Sequence, residues 1–152
     1  KTSVAKEIAR TIDMNFLDTD HLIIQTHNMT PKQLVESYGM DKFLKLQQSI
    51  IKKLSFLDTV CATGGSVVED EETMISLKRQ GVIVYLEIEF NTFVCRLDPN
   101  RRLAKQSSQT LEMFYEHRIN LYKAYTDVHI NCVNKNIKDV TCEVLDHFQI
   151  IK

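Results

Sequence analysis

Thr59-Val60-Cys61-Ala62-Thr63-Gly64-Gly65-Ser66 is the stretch on which the reading of the fold turns. Four residues open it, two of them β-branched, and they suit a short strand that stops at the glycine pair. The chain has 152 residues but only 4 glycines and 2 prolines, against roughly 10 and 7 at average usage. Half of that glycine is spent at one point, which marks a tight place there. The low totals also exclude a collagen-like fibre, a flexible linker and a fold dominated by loops.

Outward from that stretch the chain alternates helix and strand. On the N-terminal side, Val4, Ala5, Ile8, Ala9 and Ile12 recur at helical spacing in a helix over Lys1 to Thr11. Asn15-Phe16-Leu17 is a short strand ending at Asp18. A helix begins at Leu22-Ile23, another at Pro31 behind the cap Thr30, and Phe43, Leu46, Ile50 and Leu54 form a further helical stripe. On the C-terminal side, Glu69 to Arg79 reads as a helix and Val82 to Ile88 as a strand apolar on both faces, as in a covered parallel sheet. Val128, Ile130 and Cys132 alternate with polar residues like an edge strand. A last helix carries Ile137, Val140, Val144, Leu145 and Phe148. Such alternation predicts an α/β domain with a mostly parallel sheet flanked by helices. No repeat or linker divides the chain, so residues 1–152 are expected to form one domain.

The bulk numbers narrow the partners. Hydrophobic residues make up 43% and charged residues 26% of the chain, and the net charge is −1. That is a globular balance with no overall basic field to draw nucleic acid or anionic lipid. The longest apolar run, Val82 to Leu86, is far short of the roughly 20 residues that span a bilayer. Cys61, Cys95, Cys132 and Cys142 lack zinc-ligand spacing and fit reduced thiols of a cytoplasmic protein. The five histidines are scattered as surface or packing residues. Asp98 to Ser108, with Pro99, Arg101, Arg102 and Lys105, is a polar loop that is either plain surface or a lid.

In open α/β sheets ligands sit beyond the carboxyl ends of strands. Asp18 and Asp20 follow one strand there and Gly64-Gly65 follow another. Lys1-Thr2-Ser3 opens a helix, and Lys-Thr at a helix start matches the end of the phosphate-binding motif G-x-x-x-x-G-K-S/T. Each feature also has a plainer reading. The aspartates fit caps of the following helix, and the glycines fit a tight strand-to-helix turn. Arg118, near Phe114 and Leu121, fits a snorkelling surface arginine.

Taken in order, Phe16-Leu17-Asp18-Thr19-Asp20, Ala62-Thr63-Gly64-Gly65, Val84-Tyr85-Leu86 and Arg118 with Leu121-Tyr122 resemble the shikimate kinases over nearly the whole chain. The resemblance implies a three-layer P-loop kinase fold. Its phosphate-loop glycines and first, central strand are expected upstream of Lys1. It implies ATP- and Mg2+-dependent phosphoryl transfer to a small hydroxy acid, shikimate first. Lys1 would hold the transferred group, with Ser3 beside it at the nucleotide. Thr2 and Asp18 would hold the magnesium. Asp20, Gly64, Gly65 and Arg118 would bind the acceptor, with the glycine amides donating to it, and Arg101 would reach the phosphates from a lid at about 98–108. ATP and one small acceptor are the expected partners, and a monomer is the expected state.

The sequence departs from that family pattern at three points. The arginine usual after Phe43 is Leu44, and Lys45 stands about 100° further round the helix. The third glycine is Ser66, and the lid reads Arg101-Arg102-Leu103 where Arg-Pro-Leu is usual. These changes keep two alternatives in view: a kinase of the same build acting on another polyol or hydroxy acid such as gluconate, and a nucleotide-binding module without acceptor chemistry.

Overall fold

The structure is a computed structural model that describes residues 1–97 and 109–149. The expected lid and Arg101 lie outside the described residues. Helix α1 (Thr2–Ile12) leads into strand β1 (Asn15–Asp18), followed by α2 (Thr19–His27), α3 (Pro31–Tyr38) and α4 (Met40–Ile51). Then come β2 (Thr59–Ala62), a 3-10 turn (Val67–Glu69), α5 (Glu71–Gln80), β3 (Val84–Glu87) and α6 (Phe90–Cys95). Helix α7 (Leu111–Tyr125), β4 (Val128–Asn131) and α8 (Ile137–His147) complete the chain.

The strands form two parallel pairs. β1 runs beside β2 with Asp18 opposite Ala62, and β3 runs beside β4 with Glu87 opposite Asn131. Among the described residues no ladder joins the two pairs. Both pairs are linked through helices, which is how parallel strands must be connected.

Side-chain caps set the helix starts. Thr30 forms a capping box with Gln33 ahead of Pro31 at the first turn of α3, and Asn136 does the same with Asp139 for α8. Helix α2 starts at Thr19, ahead of the expected Leu22, because the Asp18 carboxylate accepts from the amides of Asp20 and His21. Helix α5 starts at Glu71, not Glu69, because Asp70 caps it through the Thr73 amide. The expected strand over Val82 to Ile88 shortens to β3, whose four residues are all half-buried.

Three apolar clusters hold these elements. Val4 of α1 meets Val128, Ile130, Val140 and Val144 of β4 and α8. Ile51, Val67, Val68, Met74 and Leu77 tie α4 to the 3-10 turn and α5. Ile23, Leu34 and Phe43 join α2, α3 and α4. Each such side chain contributes about 1.5–3 kcal/mol on full burial. The stripe expected on α4 shifts by a residue: Phe43, Gln47 and Ile51 are its buried positions, and Leu54 lies beyond the helix. The buried amide of Gln47 was not among the expected site residues.

Candidate active site

Parallel register brings the carboxyl ends of β1 and β2 level, so Asp18 and the loop after Ala62 emerge side by side. Asp18 divides its two oxygens. Oδ1 accepts from the Asp20 amide at 3.0 Å and the His21 amide at 3.2 Å. Oδ2 accepts from the Thr2 hydroxyl at 2.9 Å. The carboxylate therefore caps α2 and also touches the first turn of α1, tying the two helices together across β1. Asp18 Oδ2 and Thr2 Oγ1 form a pair of hard oxygen donors, which suits a magnesium ion that completes its shell with phosphate oxygens and water. Ser3 is exposed on the same turn.

Asp20 gives its backbone amide to the cap. Its carboxylate lies against Gly64, with Oδ1 2.3 Å from the point that a Cβ on Gly64 would occupy. A Cβ on Gly65 would lie 3.6 Å from Lys1 Nζ, 3.6 Å from Arg118 Nη1 and 3.1 Å from the Tyr122 hydroxyl. The glycine pair is thus a wall against which a carboxylate, an ammonium and a guanidinium converge. The Gly64 amide donates to the wholly buried Thr19 hydroxyl at 3.1 Å. That fixes the loop and commits one of the amides expected to face the acceptor.

Arg118 is 7% exposed and is not a surface side chain. Its Nε donates to Glu69 and its Nη1 to the Gly65 carbonyl. The Tyr122 hydroxyl donates to that same carbonyl at 3.0 Å. The Phe114 ring lies 4.8 Å from the guanidinium carbon. Glu69 also meets His117 Nε2 at 3.1 Å. A buried guanidinium held on two sides keeps a fixed direction for its remaining donors. Burial, with Asp18 adding to it, pushes the Cys61 thiol up to about 12. Cys61 is therefore a packing residue of β2, not a nucleophile.

The shikimate kinase family model matches residues 1–149. The chain belongs to the shikimate kinase family. The shikimate kinase of Sulfurihydrogenibium sp. is 30% identical over 148 residues, covering 95% of this chain and 89% of its own length. That of Geobacter sulfurreducens is 30% identical over 149 residues, covering 95% and 82%. Among solved structures, shikimate kinase from Aquifex aeolicus is 26% identical with a TM-score of 0.84, covering 98% of this chain and 89% of that one. The Acinetobacter baumannii shikimate kinase in complex with shikimate has the same fold, with a TM-score of 0.83 at 23% identity.

For a shikimate kinase, the structure brings most of the expected site residues together. Lys1, Asp20, Gly64, Gly65 and Arg118 meet at one wall, and Thr2 and Asp18 meet at its edge. Where the family pattern has an arginine, Leu44 packs against the Ile23, Leu34 and Phe43 cluster. Lys45 is exposed and supplies no replacement. Sequence reasoning did not reach Glu69, Thr19 or Gln47. Glu69 contacts Arg118 across 49 positions, which no local pattern reveals. Gln47 was detectable, as a polar residue four places from both Phe43 and Ile51.

Proposed function

We propose that this chain, acting as one kinase domain, transfers the terminal phosphoryl group of ATP to a hydroxyl of shikimate. The convergence of Lys1, Asp20 and Arg118 on Gly64-Gly65 carries the reading. An acceptor seated on that wall places a hydroxyl beside the Asp20 carboxylate, which accepts its proton as the oxygen attacks the terminal phosphorus. The bond from that phosphorus to the bridging oxygen breaks, and ADP leaves with the electron pair. Lys1 Nζ offsets the charge on the transferred group. Arg118, aimed by Glu69 and the Gly65 carbonyl, pairs with the acceptor's carboxylate. Thr2 and Asp18 would hold Mg2+, which would offset negative charge on the phosphates. Ser3 lies on the nucleotide side, and Arg101 is the cation assigned to the phosphates.

Leu44 favours a second reading within the same chemistry, a different hydroxy acid, because one of the family's carboxylate-binding cations is absent. A coupled assay of ADP release with MgATP and either shikimate or gluconate separates the two. Release that depends on shikimate, lost by at least about a hundredfold in Lys1→Met with the fold intact by circular dichroism, is the expected outcome. Full activity in Lys1→Met removes the phosphate-site assignment. ADP release driven only by gluconate moves the acceptor.

A further inference from the structure

Glu69 ends the 3-10 turn that follows the glycine pair, directly after the buried Val67 and Val68. Its carboxylate is held on two sides. One oxygen accepts from Arg118 Nε, and the other meets His117 Nε2 at 3.1 Å. The Arg118 side chain is 9% exposed and that of Glu69 21%, so water screens this ion pair less than a surface one. The pairing answers a need of the fold. A guanidinium buried without a counter-ion carries a heavy desolvation cost, and Glu69 removes it.

The same pairing has a consequence for the acceptor. Arg118 is the cation assigned to the acceptor's carboxylate, and its charge is already matched from within the chain. The bonds to Glu69 and to the Gly65 carbonyl engage Nε and Nη1, which leaves Nη2 as the nitrogen turned least toward the protein. No second cation comes from α4, because Leu44 packs in an apolar cluster and Lys45 is exposed. Asp20, at the neighbouring glycine, adds another negative charge. An acid group that approaches Arg118 therefore meets a pair with no net charge and is repelled by the Glu69 carboxylate behind the guanidinium. An uncharged group there is not. We propose that Glu69 is a specificity-determining residue. As the resident counter-ion of Arg118 it weakens the grip on the acceptor's acid group and shifts recognition toward the uncharged part of the molecule. The proposal rests on the kinase reading above and adds how strongly the site selects a charged acid.

The test follows ADP release with MgATP and two acceptors, shikimate and its methyl ester, which keeps the ring hydroxyls and lacks the charge. Wild type is expected to favour shikimate over the ester by less than about tenfold in kcat/KM. Glu69→Gln keeps an oxygen for Arg118 Nε and removes the opposing charge. It is expected to lower the shikimate KM about fivefold, with the KM values for the ester and for ATP within about twofold of wild type. A residue that merely held Arg118 in place would move the shikimate KM the other way, since a loosened guanidinium binds the acid less well. A shikimate KM that is unchanged or raised in folded Glu69→Gln overturns the proposal. If that variant does not fold, the wild-type ratio decides, and a preference for shikimate above about tenfold overturns the proposal by itself. A wild type that releases ADP with neither acceptor overturns it together with the kinase reading.

Discussion

Gly64 is required for space and not for backbone angle. Its φ lies outside the left-handed region, yet a Cβ would sit 2.3 Å from Asp20 Oδ1 and 3.3 Å from Gln47 Nε2. In Gly64→Ala the Asp20 carboxylate, the far end of a flexible side chain, swings away while the fold persists. Displacing a reacting group by about 1 Å costs roughly a hundredfold. The expected result in steady-state kinetics is a fall of that order in kcat/KM for shikimate, with the KM for ATP little changed. Gly65→Ala is milder, within about tenfold, since its nearest neighbour is the Tyr122 hydroxyl at 3.1 Å. Equal losses in the two variants would refute the placement of Asp20. At this scale the sequence revealed Asp20 and both glycines, because D-x-D and G-G stand at strand ends. It could not reveal that Arg118 is buried and held by Glu69, since that contact depends on how α7 packs on the 3-10 turn.

The helices depend on their caps more than on composition. Asp70 accepts from the Thr73 amide at 2.7 Å and from Gln48 Nε2 at 2.9 Å. Burial pushes its carboxyl up, but the hydrogen bonds from Thr73 and Gln48 outweigh this and hold it below the usual carboxylate range. A depressed carboxylate stabilises the fold at neutral pH, and that contribution is lost as pH falls through the folded value, below about 4. Asp70→Ala is expected to cost about 1 kcal/mol in urea unfolding at pH 7, and the gap to wild type should narrow below pH 4. A gap that stays constant with pH would show that the carboxylate's charge does not contribute. The start of α3 was legible because Thr30 carries a cap signature ahead of Pro31. The start of α2 was not, because Asp18 reads at once as strand end, cap and site residue, and the cap moves the helix three residues earlier.

At the scale of the molecule, α4 belongs to two of the three apolar clusters, through Phe43 and Ile51, and carries Gln47 between them. Site and core are therefore joined on one helix, and ligand binding should register in global stability. Shikimate with MgATP at about 100 times Kd adds roughly 2.7 kcal/mol. For a chain of this size that raises the Tm by roughly 5 to 10 °C in a single transition. No shift with either ligand would contradict the assigned site. The α/β class and the parallel pairing were legible from alternation alone. Which strands pair with which was not, because strand order is set by packing between distant segments. The level register of β1 and β2 has a further consequence. Strands advance in steps of about 3.3 Å, with alternate residues facing opposite ways. Deleting one residue between Asp13 and Asn15 would bring Leu17 opposite Val60 and Asp18 opposite Cys61, turning the Asp18 carboxylate to the far side of the sheet. The active centre is thus indexed to its scaffold in whole residues, and an insertion or deletion there is a more drastic change than any single replacement.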